Sequence, residues 1–168
     1  MDPGDEIFDV VDVDDHVIGR ASRREVHARR WMHRAVHILV FNSRGELFLQ
    51  KRSPDKDENP GLWDTSAAGH VDSGEDYAQC APRELEEELG LTDCSLEEIL
   101  QIPAQPDSLW EHLRVYRCTT DTTIKINPLE ISEGRFWVMK DLRDAMRSAP
   151  GQFTSSFHLI LKQFINSC

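Results

Sequence analysis

Hydrophobic and polar positions change period several times along the chain, and each change predicts an element. Residues 6 to 20 read as a hairpin: Ile7, Val10, Val11 and Val13 are β-formers, Asp14-Asp15 suits a turn, and Val17-Ile18-Gly19 returns. Ser22 stands where it can cap a short basic helix that runs through Arg30 and carries Arg23, Arg24, His27, Arg29 and Arg30. The β-formers of Ala35 to Asn42, the turn at Ser43 to Glu46 and the alternation of Leu47 to Lys51 predict a second strand pair. A polar loop covers 52 to 61, and Trp63 to Ala68 is expected as a short strand. Further strands are expected at Leu96 to Ile102, Trp110 to Cys118 and Glu130 to Met139, with helices over Asp141 to Ser148 and from Ser155 or Ser156 onward. Phe157, Ile160, Leu161, Phe164 and Ile165 give that last helix its apolar face. Strands on both sides of a central helix, with helices at the end, predict an α/β chain with a mixed sheet covered on both faces.

The central helix lies in Gly69 to Leu91, where Arg83, Glu84, Glu86, Glu87 and Glu88 crowd into six residues. Such a run can be a solvated acidic face, because like charges a turn apart repel. On a helix, however, Glu84, Glu87 and Glu88 share one face, Glu86 points away, and Leu85, Leu89 and Ala78 form a separate apolar stripe. Arg83 precedes Glu87 by one turn and can hold it in one orientation. Gly90 reads as the left-handed stop. Three carboxylates on one face make an oxygen-rich site for hard divalent cations. Pro82 either sits in the first turn of a helix that begins near Cys80 to Pro82 or interrupts a longer one.

The spacing of Gly69, Glu75, Arg83, Glu84, Leu85, Glu87, Glu88, Gly90 and Leu91 resembles the Nudix box, G-x5-E-x7-R-E-U-x-E-E-x-G-U, at every fixed position. The resemblance implies a Nudix-type α/β/α sandwich, formed as one domain over 1–168 in which 1–33 supplies an N-terminal hairpin and short helix and 69–91 the box. It also implies Mg2+, or alternatively Mn2+, held by Glu84, Glu87 and Glu88, with Arg83 orienting a glutamate and Gly69 and Glu75 supporting the motif. The expected activity is cleavage of the diphosphate link in a nucleoside di- or triphosphate or a related nucleoside diphosphate-X compound. Glu87, Glu111 and Glu133 are candidates for the general base.

Composition narrows the partners. With 39% hydrophobic and 29% charged residues the chain reads as a soluble protein, and no apolar run is long enough to span a bilayer. The acidic start MDPGDEIFDV shows no secretory pattern, so a cytoplasmic location is expected. Cys80, Cys94, Cys118 and Cys168 are widely spaced and fit no metal motif. A net charge of −11 argues against a nucleic-acid partner but not against a small polyphosphate, which a metal can recruit. A homodimer stays open.

Outside the box, His33-Arg34-Ala35-Val36, Gln50-Lys51-Arg52-Ser53, Pro60-Gly61-Leu62-Trp63 and Ala68-Gly69-His70 resemble the Nudix proteins nearest to isopentenyl-diphosphate isomerase. That likeness implies phosphate contacts from Lys51, Arg52 and Lys56, a substrate or metal role for His70, and metal roles for Glu111 and for His27 and His33. Trp110 or Tyr116 could stack on a base. The isomerase carries a catalytic cysteine where this chain has Ala68, and its box is usually degraded where this one is complete. Protonating an alkene needs a placed acid that alanine cannot supply. The resemblance therefore implies a hydrolase on an isomerase-like scaffold, with the isomerase and a non-catalytic nucleotide-binding module as alternatives.

Overall fold

The period-two pattern of the strand His33–Phe41 (β3) divides the molecule into two cores. Ala35, Leu39 and Phe41 join Leu113, Val115, Leu142, Phe157 and Ile160 on one side. Val36, Ile38 and Val40 meet Cys80, Ala81, Leu85 and Leu89 on the other. Burial on both faces is what a central strand between helical layers requires. The structure, a computed structural model, describes residues 1–168.

In chain order the elements are β1 (Ile7–Val11), β2 (Val17–Ser22), α1 (Arg23–Arg29), β3, β4 (Leu47–Arg52), β5 (Trp63–Asp64), β6 (Ala67–His70), α2 (Tyr77–Leu89), β7 (Glu97–Ile102), β8 (Glu111–Thr119), β9 (Ile131–Trp137), α3 (Met139–Ser148) and α4 (Ser155–Ser167). β1 and β2 pair as a separate ribbon; the other seven strands form one sheet in the order β5-β4-β3-β8-β7, with β9 on β4 and β6 on β3. β3 and β8 are parallel, from His33 opposite Glu111 to Phe41 opposite Thr119, and the other pairs are antiparallel. The sheet is thus mixed, with α2 packed on one face and α3 and α4 on the other, an α/β/α sandwich.

Two expectations are corrected and one open alternative is decided. The strand over Trp63 to Ala68 divides into β5 and β6, because the buried Ser66 hydroxyl accepts from Val40 N at 2.8 Å and donates to Phe48 O. The strand ending at Met139 stops at Trp137, and Met139 opens α3. Of the two helix starts left open by Pro82 the longer holds: α2 begins at Tyr77, where Asp76 and Gln79 form a reciprocal capping box, and Pro82 lies in its interior. The earlier start changes the helix's inward stripe. Ala78 is exposed, while Cys80 and Ala81 enter the core with Leu85 and Leu89.

Pro82 cannot donate the amide hydrogen bond its position in the helix calls for, and its side chain contributes nothing to the core. Pro82→Ala restores that donor, while loss of the ring's restriction on the unfolded chain offsets part of the gain. The net expected is a stabilisation of about 1–2 kcal/mol, read as a higher urea midpoint. A lower midpoint would show that the proline shapes α2 in some way that its backbone position does not account for.

Candidate metal and phosphate site

α2 brings the box carboxylates against β6, and Arg83 locks the arrangement. Its Nε donates to Glu75 Oε1 at 2.8 Å and its Nη2 to Glu75 Oε2 at 2.9 Å, a two-pronged contact. Its Nη1 donates to Glu84 at 2.8 Å and to Glu87 at 3.3 Å, and Nη2 reaches the carbonyl of His70 at 3.3 Å. One guanidinium therefore orients three carboxylates and ties them to the strand beside them.

Gly69 makes the packing of Glu84 possible. A Cβ at this position would stand 2.0 Å from Glu84 Cδ, so the carboxylate occupies space that any other residue would fill. Glu88, 5% exposed, turns inward from Glu87: Oε1 accepts from Ala68 N at 2.8 Å and Oε2 from Gln50 Nε2 at 3.2 Å. Glu84, Glu87 and Glu88 line a cleft of about 420 Å3 together with Arg83, Gly69 and His70. Lys56, Asn127 and Glu130 close its far wall, and Lys56 Nζ is paired with Glu130.

The carboxylates share a poorly solvated space, and this sets their protonation. Burial pushes Glu84 up to about 7 against the pull of Arg83, with Glu87 adding to the rise. Burial and the neighbouring Glu84 push Glu88 up to about 8, opposed by the Ala68 amide. Glu130 raises both through space. Crowded carboxylates that resist ionisation are what a bound cation relieves, so this donor set fits a hard divalent metal such as Mg2+.

A second cluster adjoins the cleft through His70, which belongs to both. His27, His33, His70 and Glu111 bring one ligand atom each to within 4.8 Å of one another. His70 Nε2 lies 2.8 Å and His33 Nε2 3.4 Å from Glu111 Oε1, while His33 Nδ1 donates to the carbonyl of Trp31 at 2.9 Å. Burial disfavours the Glu111 anion, yet the close approach of His33 and the hydrogen bond from His70 hold its carboxyl well below the usual range. Burial, with His70 and His33 adding to it, lowers His27 to about 4. His27 is thus neutral at pH 7, and its buried Nε2, like that of His33, lacks a hydrogen-bond partner. Burial lowers His70 as well, whereas Glu111 raises His33 against the pull of burial; three imidazoles around an ionised carboxylate are a donor set that fits a transition-metal ion.

The other expected site residues are scattered. Glu111 belongs to the histidine cluster and does not line the box cleft. Lys51 lies over the Trp63 ring at 5.9 Å, opposite Glu133 on β9. Arg52 donates to the carbonyl of Glu58 at 3.0 Å and approaches Asp64 at 3.7 Å, outside the cleft. Lys56 and His70 do line it. Glu130, passed over in the sequence, faces the box carboxylates from the segment before β9; only a complete Lys56–Glu130 pairing in space could have revealed it.

Comparison with known proteins identifies the class to which a fold and carboxylate set of this kind belong, hydrolases acting on phosphoric anhydrides. The NUDIX domain model matches residues 31–157. A Nudix hydrolase of Pseudomonas aeruginosa is 38% identical over 149 residues, 86% of each chain. An isopentenyl-diphosphate Delta-isomerase of Pectobacterium atrosepticum is 34% identical over 155 residues, 89% of this chain and 86% of its own. A crystal structure from Deinococcus radiodurans superimposes with a TM-score of 0.78 at 32% identity, covering 89% of this chain and 92% of the other. The chain belongs to the Nudix family.

Two outcomes follow from this geometry. Gly69→Ala drives a Cβ into the Glu84 carboxylate, and Mn2+ affinity, read from electron paramagnetic resonance titration, should fall on the order of tenfold or more. Unchanged affinity would remove Glu84 from the metal site. Glu84 and Glu88 have folded-state values above their unfolded ones, so without metal the fold favours their neutral forms. Metal-free stability should then decline as pH rises from about 4.5 to about 8, and Mg2+ should restore it at the upper end. Urea unfolding with chelator or with Mg2+ across this range checks the sign; a metal-free stability that rises would contradict it.

Proposed function

We propose that the protein is a Mg2+-dependent pyrophosphohydrolase that cleaves the diphosphate linkage of a nucleoside di- or triphosphate or a nucleoside diphosphate-X compound. The observation that carries this reading is the bidentate Arg83–Glu75 contact, which leaves Glu84, Glu87 and Glu88 facing one polar cleft beside the Lys56 ammonium. Glu84, Glu87 and Glu88 would hold the cation, which when bound neutralises phosphate charge and lowers the pKa of water.

The chain's own groups supply the rest. Arg83 keeps Glu84 and Glu87 oriented, and the Ala68 amide and Gln50 fix Glu88. Lys56 meets a phosphate oxygen from the opposite wall. Glu87, whose side chain is 56% exposed at the cleft mouth, accepts the proton of the attacking water as its oxygen forms the new P–O bond and the bridging P–O bond breaks. The bridging oxygen leaves on the second phosphoryl product.

The histidine cluster motivates a second reading, since several relatives bear the isomerase name. Ala68 argues against that activity, having neither a proton to give nor a base to take one. We propose that His27, His33, His70 and Glu111 hold a second ion that braces β6 next to the hydrolytic site.

The test is a panel of nucleotides, dinucleotides, nucleotide sugars and prenyl diphosphates with Mg2+, with products identified for wild type and Glu87→Gln. At least one compound should be hydrolysed, and the variant should be slower on the order of a hundredfold. Equal rates for both proteins would sink the assignment, and conversion between isopentenyl and dimethylallyl diphosphate would favour the second reading.

A further inference from the structure

His27 has two ring nitrogens in unlike surroundings. Nδ1 lies 3.2 Å from Glu58 Oε1, while Nε2 is buried and has no hydrogen-bond partner. His33 repeats the pattern: its Nδ1 donates to the carbonyl of Trp31 at 2.9 Å, and its buried Nε2 has no hydrogen-bond partner. The two ring centroids are 5.1 Å apart, and each ring brings a ligand atom to the group completed by His70 and Glu111; Glu58 is outside that group. A neutral imidazole carries one proton. A carboxylate or carbonyl beside Nδ1 keeps the proton there and leaves the lone pair on Nε2.

A contact that only fastened the 52–61 loop to α1 would ask nothing of Nε2, and sealing an unpaired nitrogen from water costs free energy. The loop also fixes Glu58 independently of His27. Arg52 Nε donates to the Glu58 carbonyl at 3.0 Å, Asn59 next to it holds a left-handed backbone with φ of 48°, and Asp57 before it accepts from Arg23 Nη2 at 2.9 Å. Arg23 and His27 stand one turn apart on α1, so two consecutive loop carboxylates meet one face of the helix.

We propose that Glu58 is a positioning residue of the histidine centre, holding the His27 proton on Nδ1 so that Nε2 is free to act as a metal donor. The carbonyl of Trp31 does the same for His33. The inference rests on the second-ion reading and adds to it a residue that acts on the ion through His27 alone.

Long-range 1H–15N correlation spectra of the metal-free full chain, in mildly alkaline buffer, report which imidazole nitrogen carries the proton in wild type, Glu58→Ala and Glu58→Gln. Co2+ is then titrated in excess Mg2+, which fills the carboxylate cleft, and visible absorption reads binding at the imidazoles. The Glu58 side chain is 28% exposed and Arg52 holds its backbone, so both variants should fold. Wild-type His27 should be protonated on Nδ1. Glu58→Ala should lose that single tautomer at His27 and not at His33, and its Co2+ affinity should fall on the order of tenfold. Glu58→Gln, whose amide oxygen still accepts, should keep part of both. A wild-type His27 protonated on Nε2, or an unchanged tautomer or Co2+ affinity in Glu58→Ala, would overturn the role of Glu58 and leave the second ion standing. A wild type that binds no Co2+ through its imidazoles would overturn the second ion and this inference with it.

Discussion

The guanidinium of Arg83 is the constraint on which the site depends. Acidic side chains crowded on one helix repel each other and resist ionisation, and a helix so charged has reason to fray. Arg83 answers this with contacts to Glu75, Glu84 and Glu87 at once, and with a hydrogen bond to the carbonyl of His70 that fixes α2 against β6. The planar fork matters here: a lysine has a point charge and cannot grip Glu75 with two parallel bonds. With Arg83 in place the remaining carboxylate oxygens face the cleft in a fixed pattern, ready for a cation.

β6 distributes the chemistry by its alternation. Ala68 gives its amide to Glu88, Gly69 makes room for Glu84, and the His70 ring points to Glu111 while its carbonyl receives Arg83. Three consecutive residues thus join a carboxylate centre to a histidine centre. His70 belongs to both centres, so they lie side by side.

Much of this was legible in the sequence because it is local. Arg83, Glu84, Glu87, Glu88 and the Gly90 stop all lie within three turns, so helical spacing places them without tertiary information. The sheet and its covering helices followed from alternation and helical stripes in the same way. What could not be read depends on distant pairing. Glu111 and His33 were named through resemblance and not through any local pattern, since they meet only because β3 and β8 run parallel in the register that sets them opposite each other. Glu130 reaches the cleft by a loop whose path no local pattern gives. The inward turn of Glu88 depends on an amide twenty residues away. Pro82 left two helix starts open, and the Asp76–Gln79 capping box decides for the longer helix with the proline inside it.

The central claim is that the carboxylate cleft directs water to phosphorus. Incubating the protein with Mg2+ and a panel of diphosphate compounds in heavy-oxygen water, followed by mass spectrometry of the products, tests it directly. The account predicts one heavy oxygen in a phosphoryl product for each bond broken, with labelled product forming on the order of a hundredfold more slowly in Glu87→Gln. Products without label, or an isomerised prenyl diphosphate that has gained a solvent hydrogen on carbon, would contradict it.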